Sequence, residues 1–334
     1  MKIAVDVMGG DFAPRELVLG AQKFLQTSQD AELILVGNES AIRETMPELP
    51  PRCEILHTPE FVEMGEPPMQ ALRKKKQASI AVAAHLVREG KASALLSAGS
   101  TGAQMVASLM ELGRIPGVDR PAISVMLPSA KENGVLLLDV GANVDCKPHH
   151  LLQFALMGSA YYEKVCKISR PAVGILSIGE EASKGNELTK AAYELISNSS
   201  LNFIGNVEAD HLYYGKAHVV VCDGFVGNVL LKGSESISEL IQGAVFKSAQ
   251  SLEIPGEKLM ALKSGLKKFS SDAPEYSAAP LLGINGVSVV CHGKSKAGII
   301  ANAIQLAANY ASTGVIDLIQ RQVEKEGGSE SNES

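Results

Sequence analysis

Leu95-Leu96-Ser97-Ala98-Gly99-Ser100-Thr101-Gly102-Ala103 reads as a short buried strand, a tight turn and the first turn of a helix. The apolar run has strand length, the small residues let a ligand approach the backbone, and a periodic apolar segment follows from Gln104 to Leu112. N–H groups at a helix start favour an anion there. The pattern recurs in altered form. Val5-Asp6-Val7-Met8-Gly9-Gly10-Asp11 and Leu138-Asp139-Val140-Gly141-Ala142-Asn143 each place a small-residue turn after an apolar run. So do Ser177-Ile178-Gly179-Glu180-Glu181, Cys222-Asp223-Gly224-Phe225-Val226-Gly227-Asn228 and Cys291-His292-Gly293-Lys294-Ser295. In open α/β sheets the ligand sits beyond the carboxyl ends of the strands, which is where this chain concentrates its polar, flexible residues.

Working outward, apolar runs predict strands over 2–7, 32–36, 53–58, 93–98, 122–126, 135–140, 172–177, 202–206, 218–222 and 288–291. Helical periodicity predicts helices over 14–27, 69–89, 101–112, 148–165, 186–198, 228–249, 255–268 and 295–324. Such alternation means βα units, a mainly parallel sheet and helices on both faces: an α/β fold in three layers. No long Pro/Gly/Ser linker divides the chain. One catalytic unit is expected over 1–324, with a helical hairpin near 243–270 and a disordered polar tail over 325–334.

At 334 residues and 46% hydrophobic content the chain can bury a large core. A net charge of −6 argues against a nucleic-acid binder, and 4% aromatics with no tryptophan leave no base-stacking platform. The start, Met1-Lys2-Ile3-Ala4-Val5-Asp6, lacks the form of a signal peptide, and no apolar run approaches the roughly 18 residues of a membrane span. A cytoplasmic location is expected. Cys53, Cys146, Cys166, Cys222 and Cys291 are widely spaced without a C-x-x-C and read as reduced thiols.

Cofactor motifs are missing. No G-x-G occurs, which disfavours ordinary dinucleotide binding. Gly293-Lys294-Ser295 resembles the end of a P-loop, but Ser288 stands where its first glycine belongs. No pair of Asp residues sits one helical turn apart, so a metal–hydride site is not expected. Ala98-Gly99-Ser100-Thr101-Gly102 approximates a nucleophile elbow with Ala for the first glycine, and Asp223 and His292 follow in hydrolase order. A thioesterase using Ser100, Asp223 and His292 is therefore one alternative.

Asp6-Val7-Met8-Gly9-Gly10-Asp11-Phe12-Ala13-Pro14, Leu96 to Ala103, Asp139 to Asp145, Lys184-Gly185-Asn186-Glu187 and Cys222 to Leu231, taken in order, resemble the PlsX family of phosphate acyltransferases. The resemblance covers the chain from Met1 to about Glu324. One departure is Phe12, where the family usually has His. A fainter similarity over the later strands, clearest at Asp223 to Asn228, links the chain to phosphotransacetylases, and a short-chain acyl-coenzyme A:phosphate transferase is a second alternative.

The resemblance implies a fold like that of isopropylmalate dehydrogenase and phosphotransacetylase, a homodimer, and no cofactor or metal. The reaction it implies moves an acyl group from acyl carrier protein to orthophosphate. The acyl phosphate would feed a membrane enzyme that acylates glycerol 3-phosphate in phospholipid synthesis. Lys184, Asn228, His292 and Asn143 are then the candidate catalytic residues. Phosphate and substrate contacts are expected from Gly9, Gly10, Asp11, Ser97, Gly99, Ser100, Thr101 and Gly102, and from Asp139, Asp223, Gly227, Gly293 and Ser295. His149 and His150, at a helix start, read as surface or capping residues. Two basic surfaces suggest partners. Arg73-Lys74-Lys75-Lys76 could steer acidic acyl carrier protein. Leu259, Lys263, Leu266 and Lys267, on the hairpin, could meet an anionic membrane peripherally or pack a dimer.

Overall fold

The computed structural model describes residues 1–131, 133–266, 269 and 278–330. The first half of the chain runs β1 (Lys2–Asp6), α1 (Arg15–Thr27), β2 (Glu32–Gly37), α2 (Glu39–Thr45), β3 (Cys53–His57), α3 (Pro68–Lys74), α4 (Ser79–Arg88), β4 (Ala94–Ser97), α5 (Thr101–Glu111), β5 (Ala122–Leu127) and β6 (Val135–Leu138). The second runs α6 (Pro148–Val165), β7 (Val173–Leu176), α7 (Glu187–Ser197), β8 (Phe203–Val207), α8 (Ala209–Tyr214), β9 (Val219–Val221), α9 (Gly224–Ser251), α10 (Gly256–Leu266), β10 (Ala278–Leu282), β11 (Ser288–Cys291), α11 (Ala297–Ala311) and α12 (Val315–Glu330).

The strands form one sheet in the order β3-β2-β1-β4-β11-β10-β5-β6-β9-β7-β8. Every pairing is parallel except β11 with β10, β10 with β5, and β5 with β6. Those antiparallel steps turn the sheet around. The flank β3 to β11 and the flank β6 to β8 therefore run in opposite directions, and their carboxyl ends lie at opposite edges.

Helices cover both faces because the central strands are buried on both, as the fully buried run Ala94–Ser97 illustrates. α1 and α11 approach so closely that a Cβ on Gly20 would lie 2.5 Å from the Cβ of Ile300. α6 buries Leu151, Phe154, Met157 and Tyr162 over the second flank. Each such side chain contributes about 1.5–3 kcal/mol in transfer free energy. On the opposite face α4 and α5 interlock through Ala83, Ala84, Ala103 and Ala107. α9 differs: of its 28 residues only Gly224, Gly227 and Ala249 are buried, and α10 buries none. No helix among the described residues is long and apolar enough to cross a membrane.

Several predicted elements need correction. The helix over 69–89 is two, α3 and α4, because Lys75 leaves the helix and turns its ammonium onto Glu66 and the Phe61 carbonyl. The helix over 295–324 breaks at Gly314, whose φ of 66° only glycine adopts readily. β10 was not anticipated. The start of the expected tail is helical, since α12 continues to Glu330 and Glu326 accepts hydrogen bonds from the backbone and hydroxyl of Ser200. Residues 331–334 lie outside the described part, as does Lys267.

Candidate active site

The carboxyl ends of β1, β4 and β11 are neighbours in the sheet, and their turns are tied together. Asp6 is buried. Its Oδ2 accepts the Ser97 hydroxyl at 2.7 Å and its Oδ1 accepts the Met8 N–H at 3.2 Å. The Ser97 Oγ in turn accepts the Gly99 N–H at 3.0 Å. Burial pushes the Asp6 carboxyl above its ordinary value, against the hydrogen bonds that favour its ionised form. Gly9 has no room for a side chain, because a Cβ would lie 2.7 Å from the Gly99 nitrogen. The Asp11 N–H donates to the Gly293 carbonyl at 2.9 Å, joining the third turn. Ser97 and Gly9 thus shape the turns. Ser100 caps α5 through the Ala103 N–H, while Thr101 is exposed in the first turn of that helix.

The other flank repeats the device at the end of β6. Asp139 is fully buried. Its Oδ1 accepts the N–H groups of Ile123, Gly141 and Ala142 at 3.1, 3.2 and 3.0 Å. Its Oδ2 accepts the N–H of Asn143 at 2.6 Å and that residue's side-chain amide at 3.0 Å. Burial raises the carboxyl here too. The first turn of α9 crosses directly above. The Gly224 N–H donates to the Asn143 carbonyl at 2.7 Å, and a Cβ on Gly227 would sit 1.9 Å from the Asp139 carbonyl oxygen. A Cβ on Gly224 would likewise lie 2.6 Å from the Asn143 carbonyl oxygen, so close approach to this turn is the physical reason for both glycines of Asp223-Gly224-Phe225-Val226-Gly227-Asn228. Asp223 itself caps α9 by accepting the Val226 N–H at 2.9 Å.

A cavity of about 470 Å³ connects the two systems across one face of the antiparallel strands. Thr101 and the β11–α11 loop with His292, Lys294 and Ser295 line one end, and Gly141, Gly224 and Asn228 line the other. Ile123, Val125 and Ala279 form the apolar floor. The Ser295 hydroxyl is buried and has no hydrogen-bond partner among the described residues. The His292 Nδ1 accepts the Lys294 N–H at 3.3 Å, which leaves its other ring nitrogen as the donor.

Of the sequence-predicted residues, Thr101, Asn228, His292 and Ser295 line this cavity. Three others lie elsewhere. The Asp139 carboxylate is taken up by four backbone N–H groups and the Asn143 amide. Asn143 spends its amide on the Pro121 carbonyl and Asp139, so it positions the turn rather than donating into the cavity. Lys184 is exposed on the β7–α7 loop and is not part of the cavity lining. That loop is held where the Asn206 amide donates to the Glu181 carbonyl at 2.7 Å. The hydrolase triad does not form: Ser100 and Asp223 are helix caps, the His292 Nδ1 is occupied, and among the described residues no hydrogen bond joins the three.

Lys232, Glu235, Glu239 and Lys294 also line the cavity and were missed. Asn228, Lys232, Glu235 and Glu239 recur at helical spacing, a signal legible in the sequence once α9 is known to face a cleft. Lys232 pairs with Glu235 at 2.7 Å, whereas among the described residues no ion pair holds Lys294. The cysteines are free, and burial pushes the Cys146 thiol up to about 12, which makes it a poor nucleophile. Away from the cavity, Asp119, His149 and His150 bring ligand atoms within 4.8 Å of one another. The His150 Nδ1 accepts the Lys147 N–H, so its Nε2 carries the proton and the cluster is ill suited to a metal.

These features define an α/β protein with a cleft between two sheet flanks, lined by Lys232, Glu235, Glu239 and Lys294 beside apolar residues. The chain belongs to the fatty acid synthesis protein family, whose model matches residues 1–318, and it is an acyltransferase, as its resemblance to the PlsX family implies. It is 52% identical over 332 residues to the phosphate acyltransferase of Desulfitobacterium hafniense (strain DSM 10664 / DCB-2), covering 97% of this chain and 98% of that one. It is 50% identical over 322 residues to the phosphate acyltransferase of Moorella thermoacetica, covering 95% and 94%. A phosphotransacetylase from Streptococcus pyogenes shares the fold, with a TM-score of 0.61 at 19% identity over 93% of this chain and 94% of that one. So does a putative 4-hydroxythreonine-4-phosphate dehydrogenase from Salmonella typhimurium, with a TM-score of 0.51 at 14% identity over 92% and 99%.

Proposed function

We propose that this acyltransferase moves a fatty acyl group from the thioester of acyl carrier protein to orthophosphate, giving an acyl phosphate for phospholipid synthesis. The observation that carries the reading is the buried Ser295 hydroxyl, without a hydrogen-bond partner among the described residues. It lies just before α11, in a cavity that the start of α5 also enters through Thr101 and to which Lys294 adds a cation that no ion pair holds among the described residues. Helix N-termini, a hydroxyl donor and a cation make an anion site. Phosphate held there attacks the thioester carbonyl. The new C–O bond forms as the carbonyl becomes a tetrahedral oxyanion, and collapse expels the thiolate. A thiol pKa of about 8.5 makes that leaving group good without a strong general acid. Asn228 and the free N–H of His292 are the lining donors suited to the oxyanion. Lys184 adds positive charge from the exposed β7–α7 loop.

Partner surfaces follow from exposure. Arg73, Lys74 and Lys76 are exposed on and just after α3, whose Pro68 packs against Gly102 beside the cleft, and they suit an acidic carrier protein. Lys75 is consumed by Glu66. Val226, Val229, Ile237 and Leu240 form an exposed apolar stripe on α9 that suits a second copy of the chain. At the hairpin, Leu259 and Leu266 are half-buried, so Leu252 and Met260, at 75% and 68% exposed, replace them as the tip that would touch an anionic membrane. There a cytoplasmic enzyme could deliver acyl phosphate to a membrane acyltransferase.

The test is an assay of carrier-protein thioester consumption with acyl phosphate trapped by hydroxylamine. Product that depends on added phosphate is expected. Free acid released without phosphate, or a strict preference for short acyl-coenzyme A, would overturn the reading.

A further inference from the structure

We propose that Asn206 is the positioning residue for Lys184: a bulge in β8 aims its amide at the β7–α7 loop, and the hydrogen bond made there fixes where the lysine's charge stands. The inference rests on the part given to Lys184 in the acyl transfer proposed above, and it deepens that reading. Strict alternation would put Phe203, Gly205 and Val207 on one face of β8 and Asn206 on the other. The register with β7 shifts instead. Val173 pairs with Phe203 but Ile175 pairs with Asn206, so two steps along β7 match three along β8. Gly205 takes up the extra residue at a φ of 89°, which glycine adopts without strain. Asn206 therefore shares a face with Phe203, which packs edge-on against Tyr193 of α7. Val207 pairs with Leu176 and joins it in the core of the opposite face.

Asn206 is only 2% exposed, and its Nδ2 donates to the Glu181 carbonyl at 2.7 Å. The same carbonyl accepts the Lys184 N–H at 2.9 Å, so one oxygen joins the buried amide to the lysine's own backbone. From there the side chain turns back on the loop. A Cβ on Gly179 would lie 2.8 Å from the Lys184 Cγ and 3.3 Å from its Cδ. Lys184 is exposed, yet its stem rests on the Gly179 backbone just beyond β7. β7 is the sheet neighbour of β9, which leads directly into α9, the helix of Asn228. Two observations favour positioning over packing. The Asn206 Oδ1 is buried and has no hydrogen-bond partner among the described residues. A residue kept for stability would satisfy both ends of its amide, whereas this one is kept for its donor. The loop's tie through Glu180 to Lys216 is an exposed ion pair, and such pairs hold little.

The experiment is a double-mutant cycle on phosphate-dependent turnover of one fatty acyl thioester, using the unaltered protein, Asn206→Leu, Lys184→Ala and the two together. Leucine keeps the branched outline and donates nothing. Asn206→Leu alone should lower turnover about tenfold or more, since misplacing an acting group by an ångström costs up to about a hundredfold. With Lys184 already replaced by alanine, it should cost less than about twofold. An Asn206 that only supports the fold would cost the same factor in both backgrounds, and that result overturns the inference. So does unaltered turnover in Asn206→Leu. Full activity of Lys184→Ala strikes instead the part given to Lys184, and the positioning role with it. Failure of the unaltered protein to form acyl phosphate strikes the functional reading as a whole. Should Asn206→Leu not fold, Asn206→Asp keeps the shape, and its carboxylate cannot donate to the Glu181 carbonyl, so the same expectations apply.

Discussion

Asp139→Asn tests how the cleft is built. Asp139 accepts three N–H groups on Oδ1 and two on Oδ2. An amide placed in the same space must turn its NH₂ toward one set. The less costly choice keeps the carbonyl oxygen on Ile123, Gly141 and Ala142, and points the NH₂ at the two donors of Asn143. Two hydrogen bonds are then lost and two buried donors orphaned, at about 1–3 kcal/mol each. Removing a buried charge returns part of this, because burial holds the carboxyl above its ordinary value. A net loss of about 2–3 kcal/mol is expected, to be read as a lower urea midpoint at unchanged m-value. Activity should fall further than stability alone explains, since the Asn143 carbonyl that receives Gly224 sets where α9 and Asn228 begin. A variant within about 0.5 kcal/mol of the parent and fully active would refute the positioning role.

Lys294→Ala should raise the KM for phosphate roughly tenfold with the fold intact, and Lys184→Ala should lower turnover roughly ten- to a thousandfold. Steady-state kinetics decide, and full activity of Lys184→Ala would assign charge neutralisation to Lys294 alone. His218 and His150 titrate below their ordinary value, chiefly through burial, and each Nδ1 accepts a backbone N–H that protonation would lose. The native state therefore binds fewer protons than the unfolded chain below about pH 6.5, so stability should fall as pH drops through that value. Melting temperature against pH measures this, and His218→Asn, whose oxygen still accepts, should flatten the acid limb. Leu252→Glu with Met260→Glu should release the protein from anionic vesicles while soluble transferase activity persists. The cations nearby contribute about 1 kcal/mol each, so binding should also weaken with salt, and sedimentation unchanged by the substitutions would refute the contact.

The turns were legible and the directions of their side chains were not. β1 and β4 lie within two residues of their predicted ends because each is a buried apolar run closed by a polar residue and glycine. β10 was hidden because Ala278-Ala279-Pro280-Leu281-Leu282 carries proline at its centre, where a strand normally needs an N–H. Its antiparallel pairing reverses the sheet and so decides which turns share a cavity. Asp139 and Asn143 were recognisable as important polar residues. Whether a carboxylate faces substrate or its own turn depends on where the N–H groups of Ile123 and Gly141 point, which only the folded backbone settles. Lys232, Glu235 and Glu239 needed both helical spacing and the roll of α9 about its axis, and the first alone was available.

The central claim is that an oxygen of phosphate, held between Ser295, Lys294 and the start of α5, attacks the acyl carbonyl. Fully ¹⁸O-labelled phosphate, turned over with a fatty acyl thioester and read by mass spectrometry of the acyl product, tests it most directly. The account predicts an acyl phosphate that retains every labelled oxygen, with its yield reduced in Ser295→Ala and Lys294→Ala. Unlabelled fatty acid formed from solvent water in place of acyl phosphate would contradict it.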